Sequence, residues 1–281
     1  MAIRTTSLAL CALVACAHQP AKDKSIETTF THQDNQPLAR DFRVVTFNLH
    51  GDDGKIVARA FQKDPALRAA DLIVLEEVHG HNGCSTACDV AKALGFNSVY
   101  EPEFMDRDGT DGIAIISRAP IDSAQVLELP YINVHFNDER RRAALVATVR
   151  VDGQPVTVYA VHMTNRLTVN QRAVQIMPVL NHANRQHTPV IIAGDFNTSP
   201  FTWIGATIPV LTTTQDDRFE ELMRSHGFAT PVANSGPTSR FLWMKLDGIY
   251  TRGFTTTAFA TDDAYKISDH RALWAQVHEN M

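Results

Sequence analysis

The stretch Val190-Ile-Ile-Ala-Gly-Asp-Phe-Asn-Thr-Ser-Pro200 constrains the fold more than any other. Its four leading apolar residues read as a strand covered on both faces, opening directly into a polar loop that carries Asp195 and Asn197. Gly194 lets the backbone approach a neighbour closely, and Pro200 stops regular structure. A carboxylate and an amide two residues apart at the exit of a core strand fit either an Asx-turn or a catalytic group. The other strands decide between these readings.

Phe42–Asn48 is alternating and β-branched, and Asp71–Glu77 and Gly112–Ser117 are apolar runs, so all three read as strands. Asp152-Gly-Gln-Pro155 joins Ala143–Val151 to Val156–Val161 as a hairpin, whose second arm ends on His162. Leu246–Tyr250 and Ala272–Val277 are late strands, the second preceded by Ser268-Asp-His270. Helices are expected over Lys55–Gln62, over Asp89–Leu94 stopped by Gly95, from an N-cap at Thr168 to about Arg185, and over Asp216–His226. Asn48, Glu77, His162, Asp195 with Asn197, and Asp269-His270 all fall at the C-terminal ends of strands or just before the next one. In layered α/β folds that edge is where sites form.

Together these residues resemble the endonuclease/exonuclease/phosphatase family of deoxyribonuclease-like enzymes. The resemblance rests on Thr46-Phe-Asn48, Leu75-Glu-Glu77, Gly112-Ile-Ala-Ile-Ile-Ser117, Val161-His162, Gly194-Asp-Phe-Asn197, Leu246-Asp-Gly-Ile-Tyr250 and Ser268-Asp-His270, in family order from about 42 to 277. It implies a four-layer α/β sandwich, two mixed β-sheets packed face to face with helices outside. It also implies a divalent-metal-dependent phosphoesterase. Glu77 matches the main ligand for Mg²⁺ or Mn²⁺, with Asn48 and Asp269 completing the metal environment. Asp195 matches the residue that activates the attacking water, Asn197 an amide that holds water or a phosphate oxygen, and His270 with Asp247 an imidazole–carboxylate pair facing phosphate. His162 matches a second phosphate-contacting imidazole. Where relatives carry an acidic or polar residue two places after the first asparagine, this chain has His50, although Asp52 and Asp53 follow. Arg140, Arg141 and Arg142 compete for one phosphate-facing arginine position.

The 281 residues are expected to form a signal peptide over 1–15, a polar tether over 16–40 and a single domain over 41–281. Leu8–Ala15 is too short to span a bilayer, and Leu13-Val-Ala-Cys16 resembles a lipobox whose Cys16 would be lipidated; cleavage after Ala17 would instead release a soluble exported protein. The expectation is an envelope protein, monomeric, held to the membrane by an N-terminal lipid. Its formal charge of −5 disfavours a broadly basic nucleic-acid surface, while a local basic cleft stays open. The partner expected is a phosphate ester, with exported nuclease, lipid phosphodiesterase and inactive binding module as the alternatives. Phe241-Leu-Trp-Met244 and Phe201-Thr-Trp203 are apolar segments in site-side loops that suit either acyl chains or core packing. Cys84 and Cys88 fit a local disulfide, in preference to a zinc site shared with His79 and His81.

Overall fold

A computed structural model describes residues 26–29, 36–51, 53–81, 83–106, 108–134, 140–204, 208–211, 215–262 and 267–280; residues 1–25, with the expected signal peptide and Cys16, lie outside them. The strands are β1 (Glu27–Thr29), β2 (Asp41–Asn48), β3 (Leu72–His81), β4 (Cys84–Ser85), β5 (Asn97–Asp106), β6 (Gly109–Ser117), β7 (Ile121–Glu128), β8 (Ala143–Val151), β9 (Gln154–His162), β10 (Val190–Asp195), β11 (Phe201–Ile204), β12 (Ile208–Leu211), β13 (Asp247–Arg252), β14 (Phe254–Asp262) and β15 (Ala272–Glu279). The helices are α1 (Gly54–Lys63), α2 (Pro65–Arg68), α3 (Thr86–Leu94), α4 (Val169–Asn184) and α5 (Gln215–Ser225).

One sheet runs β1-β5-β6-β3-β2-β15-β14, with β4 on β3, and the other runs β13-β10-β9-β8-β7. The β2–β3 and β9–β10 pairs are parallel within otherwise antiparallel sheets. Alternation along each strand explains the layering. Val44, Leu72 and Val74 face Leu145, Val158 and Ile191 in the interior between the sheets. Their chain neighbours Val45, Ile73 and Leu75 pack outward under α1 and α3, whose Val57, Phe61 and Val90 close that layer. Val190, Ile192 and Tyr159 pack outward against Ile176 and Leu180 of α4 and Phe219 of α5. The result is the expected order helix, sheet, sheet, helix.

Local signals set the helix ends. Asp53 caps α1 by accepting from the backbone N–H of Lys55 and Ile56, and Thr168 with Gln171 forms a capping box on α4. Helix α3 starts three residues before the expected Asp89, because Ser85 rather than a later residue supplies its cap, and it ends on Gly95 in the left-handed conformation. The Cys84–Cys88 disulfide is present beside that cap, so neither sulfur is a thiolate for zinc. The sequence reading lacked β4, β5, β7, β11, β12 and β14, and Phe201–Ile204, expected as a loop, is strand β11. β5 carries Pro102 at an irregularity in its pairing, and β7 and β14 alternate weakly because they lie toward the outside of their sheets. The stretch expected as a tether is in part fold: Glu27–Thr29 pairs with Ser98–Tyr100, and Leu38 is buried and bridged to Val151.

Candidate active site

Five strands deliver polar side chains to one edge of the sheet pair. β2, β9 and β10 end there on Asn48, His162 and Asp195, while β3 reaches it at Glu76–Glu77, where its pairing with β2 stops, and runs on to His81 instead of ending at Glu77 as expected. β13 begins at that edge because it runs antiparallel to β10, which sets Asp247 directly across from Asp195. β15 runs antiparallel to β2, so the Ser268–His270 segment ahead of it arrives there as well. Gly194 is required at this point: with φ +146°, a Cβ on it would lie 1.9 Å from the carbonyl oxygen of Val161.

Asp195 is the hub. Its Oδ1 accepts from the backbone N–H of Asn197 at 2.7 Å, and its Oδ2 accepts from Asn48 Nδ2 at 3.0 Å. The same Oδ2 lies 3.7 Å from His162 Nε2 and 4.0 Å from His270 Nε2. Burial, with the nearby Asp247 charge, pushes the Asp195 carboxyl up to about 7, against the pull of His270, Asn197 and Asn48. A carboxylate poised there takes up a proton near neutrality.

The two histidines are held in opposite states. His270 Nδ1 donates to Asp247 Oδ2 at 2.9 Å. Burial opposes charge on this ring, but Asp247, with Asp195 and Asp269, lifts it to about 10, so the imidazolium prevails at neutral pH. Arg142 Nη1 donates to His162 Nδ1 at 2.9 Å, which leaves the ring proton on Nε2, facing Asp195 and Glu77. Burial and then the Arg142 charge hold His162 well below the usual imidazole range, so it is a neutral donor. Arg142 is itself anchored by Glu103 Oε2 at 2.9 Å, and Glu103 Oε1 accepts from the backbone N–H of Ala143 at 2.8 Å.

Glu76 and Glu77 separate completely. Glu76 points between the sheets, fully buried, and accepts from Thr46 Oγ1 at 3.0 Å. Burial, then Asp247 and Asp195, push it well above the usual carboxylate range, so it is a neutral acid under the site floor. Glu77 sits at the irregularity between β3 and β6 with φ +50°, and this bulge turns it to the cleft beside Asn48. Burial alone would raise its pKa, but hydrogen bonds from His50 and Asn48 with the adjacent His162 and Arg142 hold Glu77 far below the usual range. Its Oε1 accepts from Asn48 Nδ2 at 3.1 Å.

These contacts place Asn48, Glu77, His162, Asp195, Asn197, Asp247, Asp269 and His270 around one crevice, with three refinements. His50 occupies the entrance, its Nδ1 3.6 Å from Glu77 Oε2 and 3.5 Å from Asp269 Oδ1. Asn48 Oδ1 accepts from the His50 backbone N–H at 3.0 Å, so its amide bridges Glu77 and Asp195 rather than standing open. Asn197 Nδ2 donates to Met163 O at 2.8 Å, which commits part of the amide expected to hold water or phosphate. Asp53 caps α1 and lies outside the acid set, and Asp52 lies outside the described residues. A hard cation fits the donors present: ionised Glu77 and exposed Asp269 converge on the one position now spanned by His50. Asp195, Asp247 and His270 also bring ligand atoms within 4.8 Å of one another, but His270 Nδ1 already neutralises Asp247 there.

Several residues of the site escaped the sequence reading. The three arginines divide their work. Arg141 is engaged by Glu101 and Glu128, Arg140 lies over the Phe104 ring at 4.8 Å, and Arg142 holds His162. Arg172 of α4 is buried and donates to the carbonyls of Phe196, Leu167 and Thr164, tying together the loops that follow β9 and β10. Ser268 Oγ donates to Asn48 O at 2.7 Å and accepts from the His270 backbone N–H at 3.0 Å. Thr238 Oγ1 accepts from the backbone N–H of Asp247 at 3.1 Å.

The two parallel pairs thus bring carboxylates and imidazoles together on one edge of a four-layer α/β sandwich. Residues 45–270 match the family described as Endonuclease/Exonuclease/phosphatase, and the chain belongs to that family, whose members are hydrolases acting on phosphoesters. The fold is similar to an endonuclease/exonuclease/phosphatase structure from Beutenbergia cavernae, with TM-score 0.68 and 21% identity over 86% of this chain and 72% of that one. It is similar to a mannosyl-6-phosphatase from Bacteroides thetaiotaomicron, with TM-score 0.59 and 16% identity over 84% of this chain and 99% of that one. It is also similar to sphingomyelinase C from Streptomyces griseocarneus, with TM-score 0.55 and 15% identity over 84% and 99%. No curated protein matches in sequence.

Proposed function

We propose that this chain is a Mg²⁺- or Mn²⁺-dependent hydrolase of phosphodiesters. The observation that carries the reading is Asp195 Oδ2 standing 3.7 Å from a neutral imidazole and 4.0 Å from a charged one, with its other oxygen fixed by the Asn197 N–H. Asp195 takes the proton of a water whose oxygen forms the new bond to phosphorus; the ester P–O bond breaks in line, and the leaving alkoxide takes a proton from solvent. His270, charged against Asp247, and His162, donating from Nε2, hydrogen-bond the non-bridging oxygens as their charge grows. Glu77, Asp269 and Asn48, with His50 beside them, are the residues that would hold the cation. The ion supplies Lewis-acid polarisation of the phosphoryl oxygen.

The scaffold also sits among neighbours named as mannosyl-6-phosphatase and sphingomyelinase C, so the leaving group has to be read from this chain's own surface. Turnover of bis-nitrophenyl phosphate with Mg²⁺, abolished by EDTA and by Asp195→Ala, is the expected result. An intact, phosphate-binding protein without metal-dependent turnover on this ester, plasmid DNA or sphingomyelin would replace the enzyme with a binding module. We place the protein in the bacterial envelope as a monomer lipidated at Cys16, with 41–281 as its catalytic unit and Glu27–Thr29 and Leu38 packed onto it. A mature N-terminus beginning at an unmodified His18 in mass spectrometry would remove the anchor from this proposal.

A further inference from the structure

Beside the catalytic edge lies a cleft of roughly 190 Å³, lined by Asn165, Arg166, Asn197, Ser199, Phe241, Met244 and Leu246. Asn197 belongs to both the cleft and the Asp195 turn, so whatever fills this space lies against the residue whose backbone N–H fixes Asp195. The outer wall is unusual. Phe241, Leu242 and Trp243 are consecutive and 64%, 58% and 70% exposed, where a soluble surface would place at most one such residue. Leu242 and Trp243 also both hold positive φ, +52° and +54°, a conformation that bulky side chains avoid. Strain of this kind persists only where its surroundings enforce it. Here the enforcement comes from the active site: the Arg240 backbone N–H donates to Asp269 O at 2.8 Å, Ser239 bridges to His270, and the Arg271 guanidinium lies 4.9 Å from the Trp243 ring centroid.

A second apolar element rises from the same rim. Ser199 and Pro200 lead straight into the β11–β12 hairpin, a two-stranded sheet separate from the two large ones. Such a ribbon is marginal in water by itself. Register puts Ile204 opposite Ile208 with Val210 on the same face, and all three are exposed, as is Leu211.

We propose that the 241–244 turn and the β11–β12 hairpin dock on a lipid surface, so that the phosphodiester reaching Asp195 is a lipid headgroup whose apolar portion lies against Phe241 and Met244. The proposal rests on the hydrolase reading above and names its substrate class. Composition selects the occupant. The exposed side chains are mainly aliphatic, which suits acyl chains, whereas a nucleic-acid channel needs aromatics interleaved with a basic stripe on a chain less acidic than −5. Arg166 lines the cleft, the Arg240 guanidinium donates to Ser268 O and Arg271 lies over Trp243, so positive charge borders the apolar tip, as in surface-bound segments whose aromatic and aliphatic groups enter the interface. Among the described residues no helix is long and apolar enough to cross a membrane, so contact here is with the surface layer.

The test compares wild type with Leu242→Asp/Ile208→Asp; both carry the same N-terminus, so any anchor there contributes equally. Wild type should co-sediment more with phosphatidylcholine vesicles than the variant, by about tenfold in apparent affinity, an effect set by the apolar area withdrawn. Hydrolysis of short-chain phosphatidylcholine should rise on crossing its micelle concentration, and the ratio of the micellar rate to the bis-nitrophenyl phosphate rate should fall about tenfold in the variant. Equal sedimentation by a folded variant overturns the proposal. So does binding of a single-stranded oligonucleotide, or self-association, that is lost with the same two substitutions. No turnover on either ester sinks the hydrolase reading instead, and the vesicle result still reports on the docking surface.

Discussion

Asp247→Asn keeps the size of the side chain and an acceptor for His270 Nδ1 while removing the charge 2.9 Å away. That charge has two effects: with burial opposing it, it lifts His270 to about 10, and beside burial it helps to raise Asp195 to about 7. A reaction that needs Asp195 ionised and His270 protonated therefore has a bell-shaped profile of kcat/KM in the absence of substrate protection, with limbs near these two values. The sign for each limb follows from the charge. Without Asp247 the imidazolium loses its stabiliser and burial dominates, so the alkaline limb falls to the ordinary imidazole value or below. Asp195 loses a neighbouring negative charge, so the acid limb falls too. Near pH 8.5 the fraction of protonated His270 goes from almost all to about one in a hundred, a loss of about 100-fold in rate, while near pH 6 the loss is far smaller. The assay is the pH dependence of kcat/KM on bis-nitrophenyl phosphate at saturating Mg²⁺, with the ring state followed by NMR. A uniform fall across pH with the alkaline limb still near its wild-type position would refute the argument, because Asp247 would then act by packing alone.

Other substitutions separate other roles. Glu77→Gln should weaken Mn²⁺ binding by more than about 100-fold, beyond what loss of an outer partner does, and titration calorimetry reads it. Arg142→Met strands buried Glu103 and should cost about 3–5 kcal/mol in denaturant unfolding, whereas Arg142→Met/Glu103→Met should regain most of that stability. The double variant should still turn over slowly, because His162 has lost the donor that fixes its tautomer; full activity would show that Arg142 only packs. Gly194→Ala drives a Cβ into Val161 O, 1.9 Å away on the ideal backbone, and should cost about 3 kcal/mol or more in the same unfolding assay. Reducing the Cys84–Cys88 bond opens a loop of only a few residues, so the loss should be about 2 kcal/mol at most and leave kcat unchanged.

Much of the candidate site edge was legible because β2, β9 and β10 each end on a distinctive residue directly after an apolar run. Asn48, His162 and Asp195 needed no tertiary information to be placed at strand exits, and the chain order of the motifs supplied the rest. The weaker elements hid for a physical reason. β7 and β14 lie toward the outside of their sheets, so partial solvation blurs the two-residue alternation, and β5 is interrupted at Pro102. Arg172 was read only as part of a helix, since its value lies in three carbonyl partners on loops that no local pattern connects.

The Glu76–Glu77 pair and the three arginines share a deeper difficulty. In a regular strand, neighbours point to opposite faces, and Glu76 and Glu77 would part accordingly. The bulge after Leu75 breaks that rule, turning Glu77 toward the cleft while Glu76 stays between the sheets. Nothing in Leu-Glu-Glu-Val announces a bulge; it is selected by the pairing of β3 with β6, far along the chain. Arg140, Arg141 and Arg142 are chemically identical, and only the acids brought beside them by β5 distinguish them. Glu101 takes Arg141 and Glu103 takes Arg142, both acids coming from one strand. The placement of Arg142 against His162 thus depends on a strand absent from the sequence reading. A site whose ligands are written at strand ends still has its protonation states written elsewhere, in the partners that pairing brings to their backs.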